Sequence, residues 1–275
     1  MGTAIPGNSG MTLPPDNILF GHSPVMLRLK HLVDRVAPLR VPILIVGATG
    51  TGKEAIANYI HLHSPWKEGP FIKVNCAAIP GSFETELFGF EPGAFTGVLS
   101  PTPWLLQLAG GGTLLLDDIP DLGLAFQTKL LHFLQRDTAR RMGGQQEHTA
   151  RTRVICTTNR HLESDVAQGR FRRDLYRCIT RATLSLPRLR ERTEDISSIA
   201  DYLLSKFNKE FDTRTRPLSA ALQRQLRAYS WPGNMWELQT VVRRYALLGT
   251  TTSILKSLGS PLEDSPRTFG TTKPN

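Results

Sequence analysis

Residues 41–54 read VPILIVGATGTGKE, and this stretch decides the fold. An apolar, β-branched run ends in Gly47-Ala48-Thr49-Gly50-Thr51-Gly52-Lys53-Glu54, and the helix-forming AIANYIHLH follows directly. A strand, a glycine-rich loop and a helix in that order are the setting in which G-x-x-x-x-G-K holds the phosphates of a nucleotide. Glycines let backbone N–H groups curl around the β-phosphate, the helix N-terminus adds positive potential, and Lys53 reaches the β and γ oxygens. All eight residues from Gly47 to Glu54 are therefore candidate contacts to ATP. Glu54 stands where Ser or Thr usually ligates magnesium, so Mg2+ has to be held mainly by other groups and by water.

Working outward, four more apolar runs alternate with helix-length segments: FIKV (71–74), TLLLDD (113–118), RVICTT (153–158) and ATLSL (182–186). Five such runs imply an α/β domain whose five-stranded, largely parallel sheet carries helices on both faces. After Pro187 the strand signals stop, and 194–210, 218–228 and 234–248 place apolar residues at helical spacing, as in a small all-helical domain. Residues 1–17 and 249–275 are rich in Gly, Pro and small polar residues and are expected to be disordered. The expected division is thus 1–17, an α/β nucleotide-binding domain at 18–187, a helical domain at 188–248, and a tail at 249–275.

The run AGGGTLLLDD at 109–118 supplies what a phosphate loop needs as a partner. A hydrophobic strand delivers Asp117 and Asp118 to its C-terminal edge, where Asp117 can orient magnesium and Asp118 can polarise the attacking water. Taken alone, a strand ending in an acidic turn is common; paired with the loop upstream it points to nucleotide hydrolysis.

Bulk properties narrow the class further. The 275 residues suffice for a real core, and no apolar run approaches bilayer length, nor does Met1–Met11 have the basic start and apolar stretch of a signal peptide. A cytoplasmic protein without a membrane span is expected. Cys76, Cys156 and Cys178 lack zinc or disulfide spacing and read as reduced thiols. Of the net charge of +9, eight units arise between Arg136 and Arg192, where fourteen Arg and no Lys face six acidic residues. Arginine without lysine suits bidentate recognition of phosphate or carboxylate. On charge alone a solvated basic face is the favoured reading, and a nonspecific nucleic-acid binder would explain the charge too but none of the motifs.

Just ahead of the acidic strand, Glu86–Val98 reads ELFGFEPGAFTGV. With GATGTGKE, FIKVNCAAI, GGTLLLDD, LPRLRERTEDI and WPGN, it resembles the central AAA+ domain of bacterial enhancer-binding proteins, the activators of sigma-54 RNA polymerase. The resemblance spans about residues 20–248, and the GAFTGA-type hexapeptide is matched at five of six positions. It implies a P-loop AAA+ ATPase with a helical lid that assembles into a ring, commonly a hexamer, or with related subunits. It implies that Gly93, Ala94, Phe95, Thr96 and Gly97 form the loop that contacts sigma-54, with Phe95 and Thr96 making the contact; an aromatic between glycine hinges is suited to this. Asn75 matches the asparagine that holds the water-polarising carboxylate, Asn159 the first sensor, and Arg172 the first arginine finger, which reaches the γ-phosphate of a neighbouring subunit. An ordinary surface ion pair with Asp174 is the competing reading of Arg172.

Several positions depart from that pattern. Asp118 is one methylene shorter than the family's Glu. Cys178 occupies the place of the second finger, with Arg177 one residue earlier, a rotation of about 100 degrees on a helix. Trp236 replaces the second-sensor arginine and either stacks on adenine or fills space between lid and core. Val98 and Pro92 alter the contact loop. Residues 1–20 and 249–275 show no pattern of a DNA-binding domain. Two functions stay open on these residues: an ATP-driven remodeller, or a nucleotide-binding regulatory subunit that hydrolyses weakly or not at all.

Overall fold

In a computed structural model describing residues 13–77, 105–140, 147–149, 151–251 and 254, each of the five apolar runs forms a strand of one sheet. These are β1 (Ile43–Val46), β2 (Phe71–Asn75), β3 (Thr113–Asp117), β6 (Arg153–Thr158) and β7 (Ala182–Ser185). Between β3 and β6 a short antiparallel hairpin pairs β4 (Thr138–Arg140) with β5 (Glu147–Thr149). The main sheet is ordered β2-β3-β6-β1-β7, and every neighbouring pair is parallel. This order places β6 between the strand that feeds the glycine-rich loop and the strand that ends in carboxylates.

Alternation along each strand divides the core between the two sheet faces, because successive side chains point to opposite sides. Ile43, Ile45, Leu115, Ile155 and Leu184 pack with helices α2 (Pro24–Val36) and α3 (Lys53–Leu62) on one face. Leu44, Leu114, Leu116, Val154 and Cys156 pack on the other. That second face is covered by α4 (Leu105–Leu108), α5 (Leu124–Arg136), α6 (Leu162–Ala167) and α7 (Arg173–Ile179). A short helix α1 (Asp16–Leu19) near the start of the chain packs Leu19 against the first face and Ile18 against the lid cluster.

After β7 the chain is helical: α8 (Ile196–Glu210), α9 (Ala220–Ala228) and α10 (Asn234–Leu248) surround their own apolar cluster. The hinge into this lid is pinned by Asp195, whose buried carboxylate accepts Ser23 Oγ at 2.7 Å and the His22 and Ser23 N–H groups at 2.8 and 2.9 Å. Gly21 sits at φ +64°, and a Cβ there would fall 2.3 Å from Asp195 Cγ, so only glycine lets the chain approach so closely.

Three details differ from expectation. Residues 13–17, which fall in the segment expected to be disordered, are held in the fold: Leu13 packs against the first core face, and Asp16 opens α1 and accepts a hydrogen bond from Tyr59 Oη at 3.1 Å. Pro15 ahead of an acidic first turn is a helix start that bulk composition conceals. The expected tail contains Ile254, which is fully buried in the lid cluster. Burying an isoleucine contributes roughly 1.5–3 kcal/mol, enough to offset the roughly 1–2 kcal/mol of ordering its backbone. Finally, the 138–149 hairpin was not legible as strands, since each arm has only three residues and no clear alternation.

Candidate nucleotide-binding site

The carboxyl edge of the sheet builds the site. As β1 ends, the Gly47 N–H donates to Thr158 O on β6 at 3.1 Å, and the loop closes on itself through Thr51 Oγ1 to Ala48 O at 2.8 Å. Lys53, the first residue of α3, turns its ammonium back onto Gly47 O at 2.9 Å and Ala48 O at 3.3 Å. Burial lowers its pKa, while the nearby Asp118 and Asp117 charges oppose that shift. A partly desolvated ammonium held only by carbonyls is well placed to exchange them for phosphate oxygens. Gly50 has φ +75°, and a Cβ there would meet Gly233 O of the lid at 2.4 Å. Glycine is needed at that position by the loop's turn and by the lid resting on it.

The strand order brings the acidic pair beside this loop. Asp117 Oδ1 accepts Thr157 Oγ1 at 2.5 Å, and Thr157 Oγ1 in turn accepts the Asp118 N–H at 3.0 Å. Asp117 Oδ2 lies 3.3 Å from Lys73 Nζ, which also pairs with Glu54 Oε2 at 2.7 Å. Lys73 thus bridges the phosphate-loop helix and the acidic strand. Burial alone would lower its pKa, but the Glu54 bond and the two carboxylate charges outweigh this and raise it. Asp118 adopts a left-handed backbone at φ +55°, and its buried Oδ1 has no hydrogen-bond partner among the described residues. Burial and the adjacent Asp117 charge push its carboxyl up, against the pull of Lys53. Asp118 thus keeps one buried carboxylate oxygen without a hydrogen-bond partner among the described residues, close enough to Lys53 for the two charges to interact.

The residues expected to sense nucleotide divide into two sets. Asn159 lies at the end of β6 with Nδ2 3.4 Å from Thr49 Oγ1, against the loop. Asn75 stands opposite Asp117 in the register, but its Oδ1 accepts the Ala77 N–H at 2.9 Å and closes a local turn rather than holding Asp118. Arg172 sits at the start of α7 and pairs with Asp174, Nε to Oδ1 at 3.0 Å and Nη2 to Oδ2 at 2.6 Å. The competing ion-pair reading therefore describes Arg172 within a single chain. Arg177 is exposed on the same helix, whereas Cys178 is 7 % exposed and packs in the core cluster with Cys76 and Cys156. The helical turn that points Arg177 outward sends its neighbour inward.

Trp236 is 61 % exposed on α10 and does not fill space between lid and core. The apolar cleft beside the loop is lined by Ile18, Leu19, Ala55, Leu186, Tyr202 and Met235, a place for a nucleotide base, and Trp236 is not among its walls. Buried Arg192 borders this cleft, with its Nε lacking a partner among the described residues. The arginine stretch forms no single face: Arg153 and Arg192 are buried, Arg170 pairs with Asp165, and Arg188 and Arg190 flank Ala48, Thr49 and Asn159. Gly93, Ala94, Phe95, Thr96 and Gly97 lie outside the described residues. Thr157, Lys73 and Asn234 escaped the sequence reading; their signals, a Thr ending a buried strand, a Lys in an alternating strand and the N of WPGN, have meaning only through partners distant in the chain.

The WPGN turn closes the site from the lid. Asn234 Nδ2 donates to Thr49 O at 2.8 Å, its Oδ1 accepts the Leu189 N–H at 3.0 Å, and the Met235 N–H donates to Gly50 O at 2.9 Å. Trp231 and Asn234 both have left-handed backbones, φ +49° and +53°. The buried indole is held by Nε1 to Leu226 O at 2.7 Å, and Glu237 Oε2 accepts the Gly233 N–H at 2.8 Å.

Sheet order, phosphate loop, acidic strand end and helical lid together define a P-loop AAA+ protein. More particularly, the chain belongs to the sigma-54 interaction domain family, whose model matches residues 19–185, followed by an AAA+ ATPase lid domain at 190–266. It is 41% identical over 257 residues to a Nif-specific regulatory protein of Azotobacter vinelandii, covering 91% of this chain and 49% of the relative. To the response regulator protein PilR of Pseudomonas aeruginosa it is 40% identical over 232 residues, covering 84% and 52%. The chain spans about half the length of these relatives. Among solved structures, NtrX from Brucella abortus in complex with ATP superposes with a TM-score of 0.77 at 33% identity, covering 84% of this chain and 51% of NtrX.

Proposed function

We propose that this chain binds and hydrolyses ATP within a ring of subunits, a homohexamer or a hetero-oligomer with related chains, and uses the cycle to remodel sigma-54 RNA polymerase. The observation that carries the reading is the convergence of Lys53, the Asp117–Asp118 pair and Asn159 at one sheet edge, beneath a lid that touches the same loop. Residues 18–187 serve as the ATP-binding domain and 188–248 as the body of the lid, which Ile254 extends. Gly47–Glu54 cradle the phosphates, Asn159 reads the γ-phosphate end, and Asn75 acts on Asp118 after its turn to Ala77 opens.

Among the described residues no group of three or more His, Cys, Asp or Glu is placed to hold a metal, so magnesium needs the nucleotide's phosphates as ligands beside Asp117. Bound there, Mg2+ would neutralise charge on the phosphate oxygens. The chain's own residues do the rest: Lys53 neutralises the β and γ oxygens, and Asp118 orients water through its free oxygen. Arg172 and Arg177 act across the subunit boundary, with Arg172 leaving Asp174 for the neighbour's nucleotide. Residues 93–97 make the sigma-54 contact. No helix among the described residues is long and apolar enough to cross a membrane; remodelling of sigma-54 RNA polymerase would take place in the cytoplasm.

Phosphate release across a protein-concentration series, together with sigma-54 capture in the presence of ATP or a transition-state analogue, tests this. Specific activity should rise with assembly, and capture should vanish in Phe95→Ala and Thr96→Ala while nucleotide binding stays. A wild-type protein that captures no sigma-54 would overturn the remodelling reading, and one that binds no ATP would overturn it entirely.

A further inference from the structure

The two loop carbonyls nearest the lid are both taken by one turn of that lid. Thr49 O is bound by Asn234 Nδ2 and Gly50 O by the Met235 N–H. In a trans peptide the C=O and the following N–H point in opposite directions. Fixing those two carbonyls outward therefore turns the N–H groups of Gly50 and Thr51 toward the hollow of the loop; the Thr51 N–H already reaches across it to Ala48 O at 3.3 Å. Asn234 holds the hinge with its other atom, Oδ1 on the Leu189 N–H. The turn that aims this side chain keeps a buried Trp231 in a left-handed conformation, which a large side chain adopts only where its surroundings demand it. Glu237 fastens the turn from below through the Gly233 N–H at 2.8 Å and Tyr229 Oη at 3.1 Å.

We propose that Asn234 is a positioning residue that presets the phosphate cradle: by tying Thr49 O to the lid turn and the turn to the hinge, it orients the loop's N–H groups and couples phosphate binding to lid position. This rests on the reading of the loop as an ATP site. Asn234 touches no phosphate itself. Asn234 itself does not line the apolar cleft, whose walls include its neighbour Met235 and the loop residues Thr51 and Gly52, so its direct hold is on the phosphate end, at Thr49 O.

Asn234→Asp is nearly isosteric, keeps an acceptor for Leu189 N–H and replaces the donor to Thr49 O with a repelling oxygen. ATP affinity should fall at least tenfold while adenosine affinity changes less than twofold, with circular dichroism confirming the fold. Unchanged ATP affinity, or equal losses for ATP and adenosine, would overturn the proposal, the latter because a merely structural residue would disturb the base cleft as much. A measurement on the wild-type chain covers the case in which the variant does not fold. ATP, but not adenosine, should slow amide exchange at Met235 at least fivefold, and an exchange rate insensitive to ATP would count against the coupling. Should wild-type protein bind no ATP at all, the nucleotide reading fails by itself. Inorganic pyrophosphate then replaces ATP in both experiments, and no pyrophosphate effect at Met235 overturns the clamp as well.

Discussion

The phosphate side of the site and the finger side contrast in what holds them. Around Gly47–Lys53 the polar groups are bound from several elements of the same chain: β6 through Thr158 O and Asn159, and the lid through Asn234 and Met235, while Thr157 of β6 holds the neighbouring acidic strand at Asp117. On α7 the Arg172 guanidinium pairs locally, with Asp174 two residues on, although its backbone N–H is anchored by Gln127 Oε1 at 2.8 Å, while Cys178 turns into the core. Geometry within one chain completes the first region. In the second, the proposed action on a neighbour's nucleotide requires Arg172 to leave the Asp174 pair it makes within the chain.

The sharpest way to break this contrast is Arg172→Ala. If Arg172 serves a neighbour's nucleotide, hydrolysis by the assembled protein should drop by about three orders of magnitude or more, with ATP affinity unchanged because the loop is intact. Mixing this variant with Lys53→Ala protein should restore some activity, since composite sites would then pair a good loop with a good finger. Full activity in Arg172→Ala would leave the Asp174 ion pair as its whole role.

Lys53→Ala probes the opposite region. Loss of the ammonium should weaken ATP binding at least tenfold, or about 1.4 kcal/mol, in a fluorescent-nucleotide titration that does not depend on assembly. Affinity that did depend on protein concentration would erase the distinction between the regions.

The departures from the family pattern come next in size. Trp236 is exposed beside Gly50, so Trp236→Arg meets no packing obstacle and should raise the hydrolysis rate several-fold with little change in affinity. Cys178→Arg behaves differently: the thiol is buried, and forcing a larger side chain into a packed core costs about 1–3 kcal/mol, to which desolvation of the guanidinium charge adds. Thermal unfolding should show a lowered Tm for Cys178→Arg and an unchanged one for Trp236→Arg. A double variant that is faster and no less stable would mean that the Cys178 site opens outward readily.

The smallest effect is expected at Lys73, whose half-exposed ammonium joins Glu54 to Asp117. Such partly screened pairs contribute about 0.2–1 kcal/mol. Lys73→Met removes a cation next to Asp117 and should lower the Mg2+ concentration giving half-maximal nucleotide binding, by up to about fivefold. A higher Mg2+ requirement would show that Lys73 aligns Asp117 rather than competing with the metal.

Read from residues alone, the five strands, the phosphate loop, the acidic pair and the three lid helices were all legible, because each is a local event. A β-branched run, a glycine turn or a 3.6-residue apolar period is specified by neighbours along the chain. What only the tertiary structure decided depends on partners far apart in sequence. The insertion of β6 between β1 and β3 brings Thr157 to Asp117, forty residues away, and Asn234 meets Thr49 across 185 residues. It also decided that three scattered cysteines share one core, that Trp236 faces outward, and that Asn75 closes a turn on Ala77. The physical reason is that a side chain's hydrogen-bonding capacity is written in its chemistry, but which buried group it must satisfy is set only when packing places the two together.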